Sequence, residues 1–159
     1  MTHPHATHDI LAFAAQLPER GRLVGLDFGD TTIGIALSDG TRLIATPHST
    51  IARRKWSDDA AALQAVLSEH AVAGIVIGYP MNMDGTPGPR AQATRAFARN
   101  VHALLAKPLP ILFWDERLST AAVTRMMIEG DLSRARRSEL VDKLAASYIL
   151  QGVLDGVRG

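Results

Sequence analysis

The chain of 159 residues contains no cysteine, which excludes disulfide bonds, thiolate metal sites and cysteine nucleophiles. A bound metal would therefore need oxygen or imidazole ligands, and carboxylates suit magnesium, with manganese as the alternative. Aromatic residues make up 5% of the sequence, so stacking of several bases on aromatic rings is disfavoured as a way to bind nucleic acid. These two shortages direct attention to the acidic residues.

Long apolar runs and a strong net charge are also missing. No run approaches the roughly 20 residues of a membrane-spanning helix, and the N-terminus has no basic segment followed by a hydrophobic signal core. We therefore expect a cytoplasmic protein without membrane contact. The net charge of +1 is too small to indicate nucleic-acid binding by itself. We expect one domain at residues 21–157, after a flexible extension at residues 1–20 that contains a short helix.

The order of apolar runs predicts an α/β fold. Strand-like runs cover residues 23–28, 33–38 and 42–46, and the Asp39-Gly40 dipeptide predicts a hairpin turn between the last two. Two further runs, at residues 73–77 and 111–114, predict buried strands that alternate with helices. The predicted fold is a mixed five-stranded sheet with the first three strands antiparallel and helices on both faces. Helices are predicted at residues 10–17, 57–70 (capped by Ser57), 90–105, 119–129 and 138–150.

Asp27 lies at the end of the first predicted strand. Because side chains alternate along a strand, Leu23, Gly25 and Asp27 share one face. Glycine and alanine are frequent in the segment GLDFGDTTIGIA, which leaves space above the sheet for a ligand that carries phosphate. The alternative is a turn in which Asp27 accepts backbone hydrogen bonds, and the spacing alone does not separate the two interpretations.

Two further acids occupy positions that suggest a site. Glu116 follows the last predicted strand, at the strand end where open α/β sheets place ligands; the alternative is a surface pair of Glu116 with Arg117. Asp142 lies three and seven residues before Ala145 and Ile149, on the helix face that should meet the sheet. The alternative for Asp142 is a first-turn acid favoured by the helix dipole.

We predict that Asp27, Glu116 and Asp142 are the catalytic residues and the metal ligands. Two divalent ions about 4 Å apart can activate a water and stabilise the leaving oxygen when a phosphodiester is hydrolysed. The glycine-rich loop at residues 78–90 is a candidate for binding phosphate through its backbone N–H groups at a helix start. The predicted substrate-binding residues are Asn82, Gly85, Arg90, Arg117 and Thr32.

Four segments in this order, GLDFGDTTIGIALSD, GYPMNMDGTPGPRA, WDERLST and VDKLAASYILQ, resemble those of the YqgF proteins. This family, also called RuvX-like or pre-16S rRNA nucleases, belongs to the ribonuclease H-like superfamily. The resemblance covers about residues 23–155 and places the three acids of the family on the three acids predicted above. It implies a ribonuclease H-like fold and magnesium-dependent cleavage of structured nucleic acid. After Gly29 the family commonly has a basic residue, whereas this chain has Asp30, Thr31 and Thr32.

The resemblance implies an endonuclease or exonuclease that processes the 5′ end of precursor 16S rRNA. Nucleic acid and ribosomal particles are the expected partners, and we expect a monomer or a weak homodimer. Three alternatives stay open: a Holliday junction resolvase acting on branched DNA, a non-catalytic module associated with nucleic acid or the ribosome, and a nucleotide-binding lobe of the actin or sugar-kinase type. A single domain argues against the last, because such proteins close two lobes around the nucleotide.

Overall fold

The computed structural model describes residues 6–118 and 134–158, with side chains described for 6–118 and 141–158. The predicted helix at residues 119–129 lies outside these ranges, as do the first five residues of the predicted N-terminal extension. Within the described residues, no helix has the length and apolar character that crossing a membrane requires.

A five-stranded mixed sheet forms the centre of the fold. The strand order is β3-β2-β1-β4-β5; the first three strands pair antiparallel, and β1, β4 and β5 run parallel. This arrangement confirms the predicted sheet. The strands are β1 (Leu23–Phe28), β2 (Thr32–Ser38), β3 (Ala45–Ala52), β4 (Gly74–Tyr79) and β5 (Ile111–Asp115), and the helices are α1 (Ile10–Ala15), α2 (Trp56–Glu69), α3 (Ala91–Leu104) and α4 (Arg134–Arg158), with a 3-10 turn at Glu116–Leu118.

One face of the sheet is covered by α2 and α3 and is packed with large apolar side chains. Leu63 of α2 and Phe97 and Val101 of α3 are buried in the same cluster as Leu26 and Ile77 of the sheet. The apolar residues of both helices recur at helical spacing and therefore meet the sheet on one face.

The opposite face is covered by α1 and α4, and α4 lies close to the sheet backbone. A Cβ atom added at Gly25 of β1 would lie 2.8 Å from the Cβ of Leu150 and 2.9 Å from the carbonyl oxygen of Ala146. A Cβ atom at Gly34 of β2 would overlap the backbone carbonyl of Asp142. Glycine at these two positions is what allows the helix to pack this closely.

Strand β3 differs from its prediction at both ends. It begins at Ala45 rather than at residue 42, because Asp39 accepts hydrogen bonds from the N–H groups of Leu43 and Ile44 and holds residues 39–44 in a longer turn. The expected two-residue hairpin turn at Asp39-Gly40 was therefore wrong in length. The strand continues to residue 52 despite Pro47, because β3 is an edge strand and its register with β2 shifts between residues 35 and 36.

The start of α2 also differs from its prediction. Ser57 lies inside the helix, and Lys55 occupies the N-cap without a side-chain cap bond. The carboxylate of Asp59 accepts a hydrogen bond of 2.9 Å from the N–H of Arg54. The start is therefore fixed by an acid in the first turn that reaches back, rather than by the serine hydroxyl.

The N-terminal segment before α1 contacts the outer strand of the sheet. Thr7 forms a parallel bridge with Leu112 of β5, and its carbonyl accepts a hydrogen bond of 2.8 Å from the N–H of Phe113. The ring of His8 lies 4.7 Å from that of Tyr79 and 5.1 Å from that of Phe113. This part of the predicted extension thus adds to the edge of the sheet, and the boundary at residue 21 stays a prediction.

Candidate active site

Asp27 is the buried acid at the centre of the site. It is 5% exposed and lies one residue before the end of β1. On one side it pairs with Gly34 of β2. On the other side Leu26 pairs with Ile77 of β4, so that Gly78 follows on the strand beside Asp27. Both neighbouring strands therefore carry glycine next to this carboxylate.

Asp142 reaches this position from above Gly34. The helix α4 crosses β2 where Gly34 has no side chain, and the hydroxyl of Thr32 donates a hydrogen bond to the Asp142 carboxylate. Ala145 and Ile149 are buried on the same helix face, 1% and 0% exposed, which confirms the prediction that this face meets the sheet.

Glu116 reaches the site from the other side, above Gly78. A Cβ atom at Gly78 would lie 2.9 Å from Oε1 of Glu116, so the missing side chain makes room for the carboxylate. The preceding acid, Asp115, turns away and binds Arg117 at 2.7 Å. The hydrogen bond from Arg117 lowers the pKa of the Asp115 carboxyl below its ordinary value. The two adjacent acids therefore diverge, as side chains that follow one another at a strand end generally do.

These elements enclose one cavity of about 240 Å³ at the carboxyl ends of β1 and β4. Its walls contain all three predicted acids, which come from a strand, a 3-10 turn and a helix. The described lining consists of Asp27, Phe28, Gly29, Asp30, Gly78, Pro80, Arg90, Thr94, Glu116 and Asp142.

The donor set of this cavity is suited to a hard cation such as magnesium. Among the described side chains, no three His, Asp or Glu residues gather closely enough to bind one ion together. Magnesium is commonly held by one or two carboxylates, with water and substrate phosphate oxygens completing the coordination. The three carboxylates fit ions bound in that way, since they line the same cavity from different sides.

Arg90 is the basic residue of the cavity wall, and its guanidinium already has a partner. It forms an ion pair with Asp30 and donates a second hydrogen bond of 3.4 Å to the carbonyl of Phe28. The Phe28 ring stacks on that of Phe97 with 4.2 Å between centroids, and the guanidinium carbon of Arg53 lies 4.3 Å from the Phe28 centroid. The turn after β1 is therefore held by packing on both sides of this ring.

The other predicted substrate-binding residues lie around the cavity, outside its described wall. Asn82 donates to Thr86 Oγ1 at 3.0 Å within the loop, and Gly85 has a φ of 88° that favours glycine. Arg117 connects this loop to the end of β5, because it donates to the carbonyl of Met83 at 3.3 Å in addition to binding the preceding acid. Their contacts with substrate stay predictions.

The wall also includes residues that the sequence did not single out. Thr94 is 1% exposed, and its hydroxyl donates to the carbonyl of Arg90 at 3.1 Å. Its position one helical turn after Arg90 was a usable signal, because residues four apart share a helix face. Pro80 and Phe28 gave no comparable signal, since their contribution depends on how the loops fold over the strand ends.

Comparisons with known proteins agree with this geometry. Residues 21–156 match the family model RuvX, which is described as "Holliday junction resolvase". The chain is 61% identical over 143 residues to a Rhodobacter capsulatus protein named "Putative pre-16S rRNA nuclease", covering 90% of this chain and 89% of that protein. It is 59% identical over 143 residues to a Cereibacter sphaeroides protein of the same name, covering 90% and 88%.

The fold is similar to that of Thermus thermophilus RuvC. With RuvC in complex with a Holliday junction substrate, the TM-score is 0.55 at 16% identity, covering 86% of this chain and 94% of RuvC. With a second structure of that protein, the TM-score is 0.51 at 15% identity, covering 85% and 95%. These similarities confirm the ribonuclease H-like fold. The chain belongs to the RuvX family of nucleases.

Proposed function

We propose that this chain hydrolyses phosphodiester bonds of structured nucleic acid, with Asp27, Glu116 and Asp142 as catalytic residues and as ligands of magnesium, or manganese, ions. The observation that carries the proposal is the shared cavity, whose walls contain all three acids from separate elements. Burial of a carboxylate such as Asp27 is costly unless donors or a cation compensate its charge. Two further carboxylates, of Glu116 and Asp142, line the same cavity, and carboxylates around one space are suited to divalent cations.

Three residues in and around the cavity have distinct roles in this proposal. When bound, two divalent ions supply an activated water and charge stabilisation at the leaving oxygen. Thr32 orients the carboxylate of Asp142, because its hydroxyl donates a hydrogen bond to that carboxylate. Arg90 offers a guanidinium to a phosphate group, for which its planar set of donors is suited. Thr94 holds the first turn of α3 through the carbonyl of Arg90.

The substrate we propose is the 5′ end of precursor 16S rRNA, cleaved in the cytoplasm on ribosomal particles by a monomer or a weak homodimer. The support is the name of the relatives, which share 54% to 61% identity with this chain over nine tenths of its length. An enzyme with this substrate would recognise backbone and shape, because the candidate site offers acids, backbone groups and one arginine rather than a row of aromatic rings.

Branched DNA is the second candidate substrate. Two observations favour it: the description of the RuvX model as a Holliday junction resolvase, and a fold similar to RuvC in complex with a Holliday junction. Both candidates use the same phosphodiester chemistry, so the cavity serves either substrate. The choice depends on surfaces beyond the three acids.

The test is a cleavage assay of the purified protein on precursor 16S rRNA, duplex RNA and four-way DNA junctions, each with magnesium, manganese or a chelator. We expect cleavage of precursor rRNA with either metal and none with the chelator. Preferential cleavage of the junction would support the second substrate. Metal-independent binding without cleavage of any substrate would contradict the nuclease proposal and favour a non-catalytic module, and an ATP-dependent rise in the unfolding temperature would favour a nucleotide-binding lobe.

A further inference from the structure

The ion pair between Asp30 and Arg90 joins two residues that are 60 positions apart in the sequence, at the mouth of the candidate active site. Both residues line the cavity. The Asp30 side chain is 79% exposed and that of Arg90 is 35% exposed, so the pair is open to solvent. A phosphate group that binds this guanidinium must therefore compete with the Asp30 carboxylate.

The backbone of the turn that carries Asp30 is held by a different arginine. Arg53 donates from Nη1 to the carbonyl oxygens of Gly29 and Asp30, at 2.7 Å and 3.0 Å. Its own N–H donates to the carbonyl of Thr31 at 2.9 Å. The turn does not depend on the Asp30 carboxylate for its shape, so the charge of that side chain can be changed without removing what holds the backbone.

The cavity wall has an excess of negative charge, and Asp30 contributes to it. The described wall contains four carboxylates, of Asp27, Asp30, Glu116 and Asp142, against one guanidinium. A nucleic-acid backbone is repelled by such a wall until divalent cations compensate it. Three of these carboxylates are assigned to cations in the proposal above, whereas Asp30 neutralises the group that would receive a phosphate.

We infer that Asp30 limits substrate binding by competing with the substrate phosphate for Arg90, so that Arg90 becomes available only when a phosphate group displaces the carboxylate. This inference rests on the proposed function and adds a residue to it. It predicts that the ion pair weakens substrate binding and that removing the Asp30 charge strengthens it through Arg90.

The test measures the affinity for a fluorescein-labelled RNA hairpin in a chelator, where no cleavage is expected. Exposed ion pairs are worth about 0.2 to 1 kcal/mol, which corresponds to about 1.4- to fivefold in affinity. Asp30→Asn is expected to bind the hairpin tighter by that factor, and Arg90→Gln to bind it more weakly. In the Arg90→Gln background, Asp30→Asn is expected to give no further gain, because the competition no longer exists.

Two controls separate competition from other effects. Asp155→Asn removes the acid of another exposed Asp–Arg pair, with Arg158 near the far end of α4, and so changes the net charge equally without touching the cavity. Asp30→Glu keeps the charge and is expected to retain the wild-type affinity. With magnesium, Asp30→Asn is expected to lower KM by the same factor while kcat changes less, a division that a purely structural role would not produce.

The outcomes distinguish this inference from the proposed function. Cleavage by the wild type with unchanged affinity in Asp30→Asn would overturn the inference alone, as would a gain that persists in the Arg90→Gln background. Tighter binding by Asp30→Asn without cleavage by any variant would keep the inference and overturn the nuclease proposal. If no variant binds in the chelator, the assays with magnesium decide: an unchanged KM in Asp30→Asn would overturn the inference, and absence of cleavage by the wild type would overturn the nuclease proposal.

Discussion

Asp27 and Asp39 are both acids at strand ends, yet their surroundings differ completely. Asp39 follows β2, and its carboxylate accepts hydrogen bonds from Thr41, Leu43 and Ile44 of its own turn. Asp27 is 5% exposed, has glycine beside it on both neighbouring strands, and lies in a cavity with three further acids. The first acid accepts hydrogen bonds from neighbours in the sequence, whereas the surroundings of the second include residues from β2, β4, the 3-10 turn and α4.

The difference shows what makes an acid a candidate for chemistry in this fold. By sequence pattern the two are alike, because each is an acid at a strand end that is followed within two residues by glycine. What separates them is the space above the neighbouring strands, which at Gly34 and Gly78 is occupied by Asp142 and Glu116 rather than by side chains of the sheet. The predictions below test this contrast by removing a charge at each acid and by filling the space at each glycine.

The largest effect is expected for Asp27→Asn. The amide has nearly the size of the carboxylate but loses the charge that holds a cation, so kcat/KM should fall by about 10³-fold or more. The free energy of unfolding should change little, because the packing around the side chain is kept. Cleavage assays with magnesium and urea unfolding of the same preparation measure the two quantities. Wild-type turnover in this variant would remove Asp27 from the proposed mechanism.

Gly34→Ala should have the next largest effect. The added Cβ overlaps the backbone carbonyl of Asp142, and a backbone atom cannot turn aside as the end of a side chain can. Helix α4 must therefore shift, at a cost of about 1 to 3 kcal/mol for overpacking. A displacement of about 1 Å at a catalytic group lowers the rate by about 10²-fold.

The matched control for this variant is Gly40→Ala, where an added Cβ meets nothing within 4 Å. The free energy of unfolding of this control, measured in urea, and its kcat/KM should be close to those of the wild type. Equal stability and activity for both glycine variants would show that the close approach of α4 at Gly34 is unimportant.

Gly78→Ala should have a smaller effect on stability and a selective effect on activity. The added Cβ would lie 2.6 Å from Cδ1 of Ile149 and 2.9 Å from Oε1 of Glu116, and both are ends of flexible side chains. We expect a loss of about 1 kcal/mol in the free energy of unfolding, with a fall in kcat/KM of about tenfold as Glu116 moves. Activity that falls only in proportion to stability would contradict a role for the position of Glu116.

Sequence patterns predicted the acids because each pattern is local. Alternation placed Asp27 on a defined strand face, and helical spacing placed Asp142 on the face of α4 that meets the sheet. The neighbours of Asp27 were not predictable in the same way. That Gly34 and Gly78 flank it follows from strand register, which depends on pairing between segments far apart in the sequence.

The errors at the starts of β3 and α2 have a more local origin, in carboxylates that bind backbone N–H groups four or five residues away. The late start of β3 reflects hydrogen bonds of Asp39 that replace the simple hairpin turn, and the start of α2 at Trp56 reflects the contact of Asp59 with the preceding backbone. The Asp30–Arg90 pair spans 60 positions and becomes visible only in the folded chain. Local patterns therefore predicted most elements and the acids, while the contacts that arrange the site required the tertiary structure.

The smallest effect is expected for Asp39→Asn, and it should appear in stability rather than in activity. Hydrogen bonds to the charged carboxylate, first from the Thr41 hydroxyl, lower the pKa of Asp39 below its ordinary value of 3.8. Because the folded-state pKa is the lower one, the stabilisation is complete above pH 4 and is lost as the pH falls toward the folded-state value. Thermal unfolding of the wild type and Asp39→Asn at pH 7, 4 and 2.5 should show a difference in Tm that narrows toward acid, with unchanged kcat/KM at pH 7. A constant difference at all three pH values would show that the charge of Asp39 does not stabilise the turn.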